Sequence, residues 1–265
     1  DDMEVVAINS RSDAKSHAYL LKYDSLYGIL DADIKVDEND LVVNGKKTYV
    51  YQIKDPLDAP WKKHDIDIVI EATGNFTTMV DAEKHLKAVA KKVLITAPCK
   101  EKEIPNIVIG VNEKDYNPAD FKVISNASCT TNCLAPVLKV LNDEFGVNYS
   151  LVTTIHAITF TQNLLDNSNP EDFRRSRSAT ESFIPTTTGA MKAISRVIPE
   201  LEGKVDGMAF RVPVPTVSCI DLVAELGKNV TAQEVNDMFK KYETGSMKGI
   251  LGTTDEEVVS VDFRK

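Results

Sequence analysis

Ser125-Asn126-Ala127-Ser128-Cys129-Thr130-Thr131-Asn132-Cys133-Leu134-Ala135-Pro136 is the stretch on which the reading of this chain turns. The short run Lys122-Val123-Ile124 leads into it as a strand would. Leu134, Leu138, Leu141 and Phe145 then recur at steps of four, three and four, the spacing of one helix face. The stretch is therefore a strand-to-helix turn. Ser128 is a good N-cap type, which puts Cys129 in the first helical turn. There unpaired N–H groups and the positive end of the helix dipole favour thiolate over thiol, and the thiolate is the nucleophile. A cysteine near a helix start is also often just a small buried hydrophobe.

A histidine tips that balance. Leu151-Val152-Thr153-Thr154-Ile155 is a β-branched strand candidate, and His156 follows it, 27 residues after Cys129. Imidazole can take a thiol's proton and return it near neutral pH. A helix and a return strand could bring the two together. His17, His64 and His85 sit in polar surroundings and read as exposed, and Cys133 reads as packing.

Working outward, the first half alternates strand and helix. Val5–Ile8, Ile66–Ile70, Val93–Thr96 and Ile107–Ile109 are short apolar runs suited to strands buried on both faces. Asp81–Ala90 is an amphipathic helix between two of them, giving βαβ order and a doubly wound α/β arrangement. From about Leu151 longer strand candidates follow: Leu151–Ile155, Gly207–Val212, Val217–Leu226 and Glu257–Phe263. Thr231–Tyr242 reads as a helix opened by a Thr231/Glu234 capping box. The expected architecture is a Rossmann-type parallel-sheet domain over 1–128 and an α+β catalytic domain with an antiparallel sheet over 129–265.

The 265 residues carry 31 Lys+Arg against 40 Asp+Glu, a net charge of −9, which argues against nucleic-acid or anionic-membrane partners. No apolar run approaches a membrane span. Four cysteines without zinc-ribbon spacing imply neither a disulfide framework nor a metal, and a nucleophilic thiol implies a reducing, cytoplasmic setting. The one basic cluster, Arg174-Arg175-Ser176-Arg177, has the composition of a solvated helix face.

Ser125–Pro136 resembles the active-site segment of the phosphorylating glyceraldehyde-3-phosphate dehydrogenase family. Glu4–Asn9, Leu20–Ser25, Glu71-Ala72-Thr73-Gly74, Ile184–Ala190, Arg211–Pro215 and Asp221–Leu226 also look like that family, in its order. The resemblance implies an NAD(P)-dependent oxidoreductase working through a cysteine thioester in glycolysis or gluconeogenesis. It implies Cys129 as nucleophile and His156 as acid–base. Thr159 and Arg211 would hold the substrate phosphate, and Ser128, Thr130, Thr188 and Gly189 the attacking inorganic phosphate. The basic cluster would lie on the loop that packs at the subunit interface and lines the cofactor cleft of a homotetramer. The resemblance also implies that the family's first strand, its glycine-rich turn and its C-terminal part are absent here. A chain of this extent is then expected to bind dinucleotide poorly.

The implied cofactor residues are Asn9, Ser10, Arg11, Lys54, Thr73, Gly74, Phe76, Thr96 and Ser168. Two depart from the NAD pattern. NAD-specific relatives carry an acid after the residue matching Asn9, to bind ribose hydroxyls. Here Ser10-Arg11 follows, and Arg can bind a 2′-phosphate. Asn167-Ser168 stands where the family's NAD-dependent members tend to have Leu-Pro, and in its NADP-using members a serine at the second position reaches the 2′-phosphate. Together these favour NADP over NAD. A third departure, Ala157-Ile158-Thr159-Phe160-Thr161-Gln162, keeps the family's threonine and glutamine but not its tyrosine and acid. The rival readings are erythrose-4-phosphate dehydrogenase, a catalytically silent binding fragment of the same fold, and an unrelated cysteine hydrolase. The intact Thr186–Thr188 triplet argues against the first.

Overall fold

The computed structural model describes residues 3–170 and 172–264. The chain divides into two compact units, one running through Ile104 with Pro118–Ile124, the other comprising Pro105–Asn117 and the chain from Ser125. The division falls four residues before the expected boundary. Pro105–Asn117 joins the second unit through local bonds: Ser125 N–H donates to the Pro105 carbonyl at 2.9 Å, and Ile107 N–H to the Ser125 carbonyl at 2.8 Å.

The first unit contains β1 (Ala7–Asn9), α1 (Ala14–Lys22), β2 (Tyr23–Asp24), β3 (Gly28–Ile29), β4 (Ile34–Asp37), β5 (Asp40–Val43), β6 (Lys46–Tyr51), β7 (Ile68–Glu71), α2 (Met79–Lys87), β8 (Lys92–Ile95) and most of β9 (Val123–Ser125). β1 pairs with β6 in parallel, and β6-β5-β4 is an antiparallel meander. β7 and β8 pair in parallel, with α2 crossing between them and β9 beyond β8. This is the expected βαβ unit. Thr78 caps α2 by accepting from the Asp81 N–H, and Asp81 near its start and Lys84 and Lys87 near its end complement the dipole. Ala82 on α2 packs with Val93 and Ile95 of β8, Ile104 and Val123, all buried.

Three expectations for this half change. β7 buries Val69 and Glu71 but exposes Ile68 and Ile70, so it covers one face, not two. Ile107–Ile109 is not a strand, because the Asn112 side chain accepts from the Val108 N–H and curls the segment into a turn. His85 is buried, not exposed: its ring sits between the Trp61 indole and the Glu71 carboxylate.

The second unit contains α3 (Cys129–Phe145), β10 (Val147–His156), β11 (Ile184–Thr186), α4 (Ala190–Val197), β12 (Val205–Arg211), β13 (Cys219–Leu226) and α5 (Ala232–Thr244). The sheet order is β11-β12-β10-β13. β10–β13 and β11–β12 are antiparallel as expected, but the central pair β10–β12 is parallel. The connection between those two strands includes α4 and returns the chain to its starting end, so the sheet is mixed. Gly207 faces Val152 across this pair, and a Cβ there would lie 2.1 Å from the Val152 carbonyl oxygen. Leu134, Leu138 and Leu141 of α3, Val152 of β10 and Ile194 of α4 share one core. The α5 capping box is present. Glu257–Phe263 is not a strand; Ser260–Phe263 forms a 3₁₀ turn, closed when Val259 N–H donates to Asp262. No helix among the described residues is long and apolar enough to cross a membrane.

Candidate active site

Local chemistry places Cys129. Ser128 caps α3: its Oγ accepts from the Thr131 N–H at 3.0 Å. Ala127 holds φ +55, a left-handed conformation that is costly for a residue with a Cβ. The Ser125 hydroxyl oxygen accepts from the Ala127 N–H at 3.0 Å and holds that bend. Cys129 therefore stands in the first turn with its sulfur accessible.

His156, the last residue of β10, meets it: Nε2 lies 3.5 Å from the Cys129 sulfur. The other ring nitrogen, Nδ1, is 2.7 Å from the Ala157 carbonyl oxygen, which can only accept. Nε2 is the ring nitrogen that faces the thiol, while Nδ1 sits between that carbonyl acceptor and the Arg211 Nη1 donor, 2.9 Å away. Ser218 accepts from the Ala157 N–H and holds this corner, and the preceding Val217 is strained at φ +63. The Cys129 pKa is lowered to about 7, chiefly by the hydrogen bond with His156 and against burial that raises it, with smaller contributions from the His156 charge and the Thr130 contacts. Cys133 lies on the same cavity of about 230 Å³ with Thr154 and Cys219. Its pKa is raised, by burial first and then by the neighbouring Cys219 and Cys129 thiols.

A cationic donor set adjoins the pair. Arg211 Nη1 donates to Thr159 Oγ1 at 3.0 Å and lies 2.9 Å from His156 Nδ1. Arg211 Nε and Gln162 Nε2 are buried donors with no hydrogen-bond partner. Arg175 Nη2 donates to Thr186 Oγ1 at 2.8 Å, on the strand that pairs with the Arg211 strand. Burial, then the Arg175 charge, lowers the Arg211 pKa, and Arg175 itself is paired through Nε with the Asp172 carboxylate at 3.3 Å. Reading the basic cluster as a solvated face holds for Arg174 and Arg177 but not for Arg175, which turns inward. Charge pattern alone could not separate it from its neighbours. Thr188 accepts from the Ala190 N–H at 3.2 Å, and Gly189 is the N-cap of α4. Neither is hydrogen-bonded to Cys129, His156 or Arg211 among the described residues.

The cofactor candidates divide between the units. In the first, both side-chain atoms of Asn9 are spent on the Ile53 backbone, tying the end of β1 to the loop after β6. Asn9 is thus a clamp that shapes the strand end. Ser10 accepts from the Ser12 N–H at 3.2 Å, while Arg11 and Lys54 are exposed. The nearest following acid, Asp13, is committed to capping α1. Thr73, Gly74 and Thr96 lie at the carboxyl ends of β7 and β8, with Thr96 N–H donating to the Glu71 carbonyl at 3.0 Å. Lys84 sits 5.8 Å over the Phe76 ring. Ser168 is exposed in the second unit. No group of three or more metal-binding side chains gathers among the described residues.

Residues 128–265 match the model of the glyceraldehyde 3-phosphate dehydrogenase C-terminal domain, and residues 1–79 that of the same family's NAD binding domain. The chain belongs to the glyceraldehyde-3-phosphate dehydrogenase family. It is 54% identical over 262 residues to glyceraldehyde-3-phosphate dehydrogenase 1 of Bacillus subtilis (strain 168), covering 99% of this chain and 78% of that protein. It is 53% identical over 262 residues to glyceraldehyde-3-phosphate dehydrogenase of Geobacillus stearothermophilus, with the same two coverages. The chloroplastic A form of Chlamydomonas reinhardtii is 51% identical over 263 residues, 99% of this chain and 70% of that protein. Membership in this family brings NAD(P) use and the two-domain α/β architecture with it.

Proposed function

We propose that this chain catalyses phosphorylating oxidation of glyceraldehyde 3-phosphate to 1,3-bisphosphoglycerate. The observation that carries this is the Cys129–His156 pair, 3.5 Å apart, with the Arg211 guanidinium 2.9 Å from the other ring nitrogen. The Cys129 thiolate forms a C–S bond to the aldehyde carbon, and the carbonyl oxygen takes the proton that His156 Nε2 received from the thiol, becoming the hydroxyl of a hemithioacetal and leaving the ring neutral. His156 Nε2 takes the hydroxyl proton as that adduct is oxidised to the thioester. Inorganic phosphate then adds to the thioester carbon, and Cys129 leaves as thiolate with the acyl phosphate formed. The Cys129 N–H, unpaired in the first turn of α3, and His156 stabilise the oxyanion of each tetrahedral state. A bound nicotinamide dinucleotide supplies the two-electron acceptor.

The buried, unpaired Arg211 Nε and Gln162 Nε2 fit anionic ligands, whose oxygens can accept from them. We assign the substrate phosphate to Arg211 and Thr159. The attacking phosphate falls to Ser128, Thr130, Thr188 and Gly189. The donor set at the end of β1 fits the adenosine end of a dinucleotide: a serine hydroxyl and the exposed cations Arg11 and Lys54, without a free acid. That set favours NADP over NAD. Exposed Phe160, Leu164, Leu165, Phe173 and Phe183 on the segment after β10 support assembly into a homotetramer, and the accessible, low-pKa thiol supports a reducing, cytoplasmic setting.

The test is dinucleotide reduction at 340 nm with glyceraldehyde 3-phosphate and phosphate. Activity requiring both, and lost in Cys129→Ser, supports the reading; turnover without phosphate counts against it. Comparing kcat/KM for NADP and NAD in parent and Ser10→Asp tests the cofactor assignment. One charge-assisted bond is worth roughly 10- to 100-fold in the ratio. A parent that prefers NAD and does not respond to Ser10→Asp overturns it.

A further inference from the structure

A buried polar chain in the first unit takes no part in the chemistry above. Trp61, His85 and Glu71 are 4%, 3% and 4% exposed. The Trp61 indole N–H, which can only donate, points at His85 Nδ1 at 3.1 Å. Nδ1 must therefore accept, so the ring proton sits on Nε2 and is donated to Glu71 Oε2 at 3.1 Å. The second carboxylate oxygen of Glu71 accepts from both the Thr73 N–H, at 2.8 Å, and the Thr73 hydroxyl. The Thr73 Oγ1 in turn accepts from the Asn75 N–H at 3.1 Å. Burial raises the Glu71 pKa, but the bonds from His85 and Thr73 outweigh it and the carboxyl is held ionised. Each member has one possible role, so the direction of every proton in the chain is determined.

The consequence lies at the end of β7. Thr73 has no donor left for a ligand, because its N–H and hydroxyl both face Glu71. Its part in ligand binding is to shape the turn that carries Gly74, whose φ is +73. That turn is set from two residues back by a carboxylate, and the carboxylate is oriented by a histidine on α2.

We propose that His85 is a positioning residue for dinucleotide binding, acting through Glu71 on the turn Thr73-Gly74-Asn75, with Trp61 selecting the tautomer that makes this possible. This rests on the reading of Thr73 and Gly74 as cofactor residues. Removing the relay loosens the turn without touching Cys129, His156 or the groups near a 2′-phosphate. Affinity for NADP and NAD should then weaken by the same factor.

Two variants separate hydrogen bonding from packing. His85→Gln keeps one donor and one acceptor; His85→Leu keeps bulk and neither. In the intact enzyme, calorimetric Kd for NADP and for NAD should rise about tenfold in His85→Leu and less than about threefold in His85→Gln. Amide exchange over residues 71–77 should accelerate in the first and return toward the parent in the second. The reaction of Cys129 with an aromatic disulfide should be unchanged in both. If His85→Leu does not fold, Trp61→Phe serves, with the same faster exchange and a Kd raised about threefold. Gly74→Val is the control on the underlying reading, since a β-branched residue resists φ +73. Weaker binding in Gly74→Val with parent-like binding in His85→Leu, or equal losses in the Gln and Leu variants, overturns the relay alone. Unchanged binding in Gly74→Val removes the dinucleotide from this turn and overturns both.

Discussion

Replacing His156 by alanine should move the reactivity of Cys129 in opposite directions at low and high pH. In the parent the Cys129 pKa is about 7, against 9.0 for an unperturbed thiol. The largest cause is the hydrogen bond from His156, and its charge adds to it, so most of the depression goes with the ring. Thr130 and the α3 N-terminus remain, and water admitted by the smaller side chain relieves the burial that raised the value. With a variant pKa between roughly 8.5 and 9, the thiolate fraction at pH 7 falls from about one half to about 1–3%. A more basic thiolate is also more nucleophilic, with a Brønsted slope of about 0.4–0.5 in disulfide exchange, so each one that forms reacts about five to ten times faster. The two effects partly cancel at pH 7, leaving a loss of only about three- to sixfold. At pH 10 both proteins are nearly fully ionised, and the variant should be the faster by about five- to tenfold. The assay is stopped-flow reaction with an aromatic disulfide from pH 5.5 to 10, in a Cys133→Ser, Cys219→Ser background. Curves that cross near pH 8 support the reasoning. A variant whose midpoint stays near 7 refutes it, and would assign the depression to the helix end alone. Oxidation of the aldehyde should fall much further, by roughly 10²–10⁴-fold, because the acid–base is lost as well.

Cys133→Ser should keep most of the activity, since the raised pKa of that thiol leaves little thiolate at neutral pH; loss of turnover with normal Cys129 labelling would contradict this. Arg211→Ala should raise the KM for the phosphorylated aldehyde by about tenfold or more, while the rate with an uncharged aldehyde changes far less, and equal losses on both would count against a phosphate role. Gly207→Ala should be among the most destabilising single-methyl changes in the chain, because the Cβ would overlap the Val152 carbonyl between two paired strands. A melting temperature within a few degrees of the parent would show that β12 can shift.

Much of this protein was legible in one dimension, where the governing physics is local. The Ser128 cap, the place of Cys129 in the first turn and the Thr231/Glu234 capping box depend on neighbours within four residues, the βαβ order around α2 on the alternation of short runs along the chain, and all are present in the fold. Other features depend on residues far apart in the chain. Periodicity reports which face of a strand is apolar but not its partner, so the parallel pairing of β10 with β12 could not be read from either segment. Three arginines in four residues look alike until the fold turns Arg175 toward Thr186 and leaves its neighbours in water. Polar surroundings in sequence made His85 look exposed. Its environment is set by Trp61, 24 residues away, and Glu71, 14 away, and only packing α2 over β7 brings those groups to one ring and decides where its proton sits.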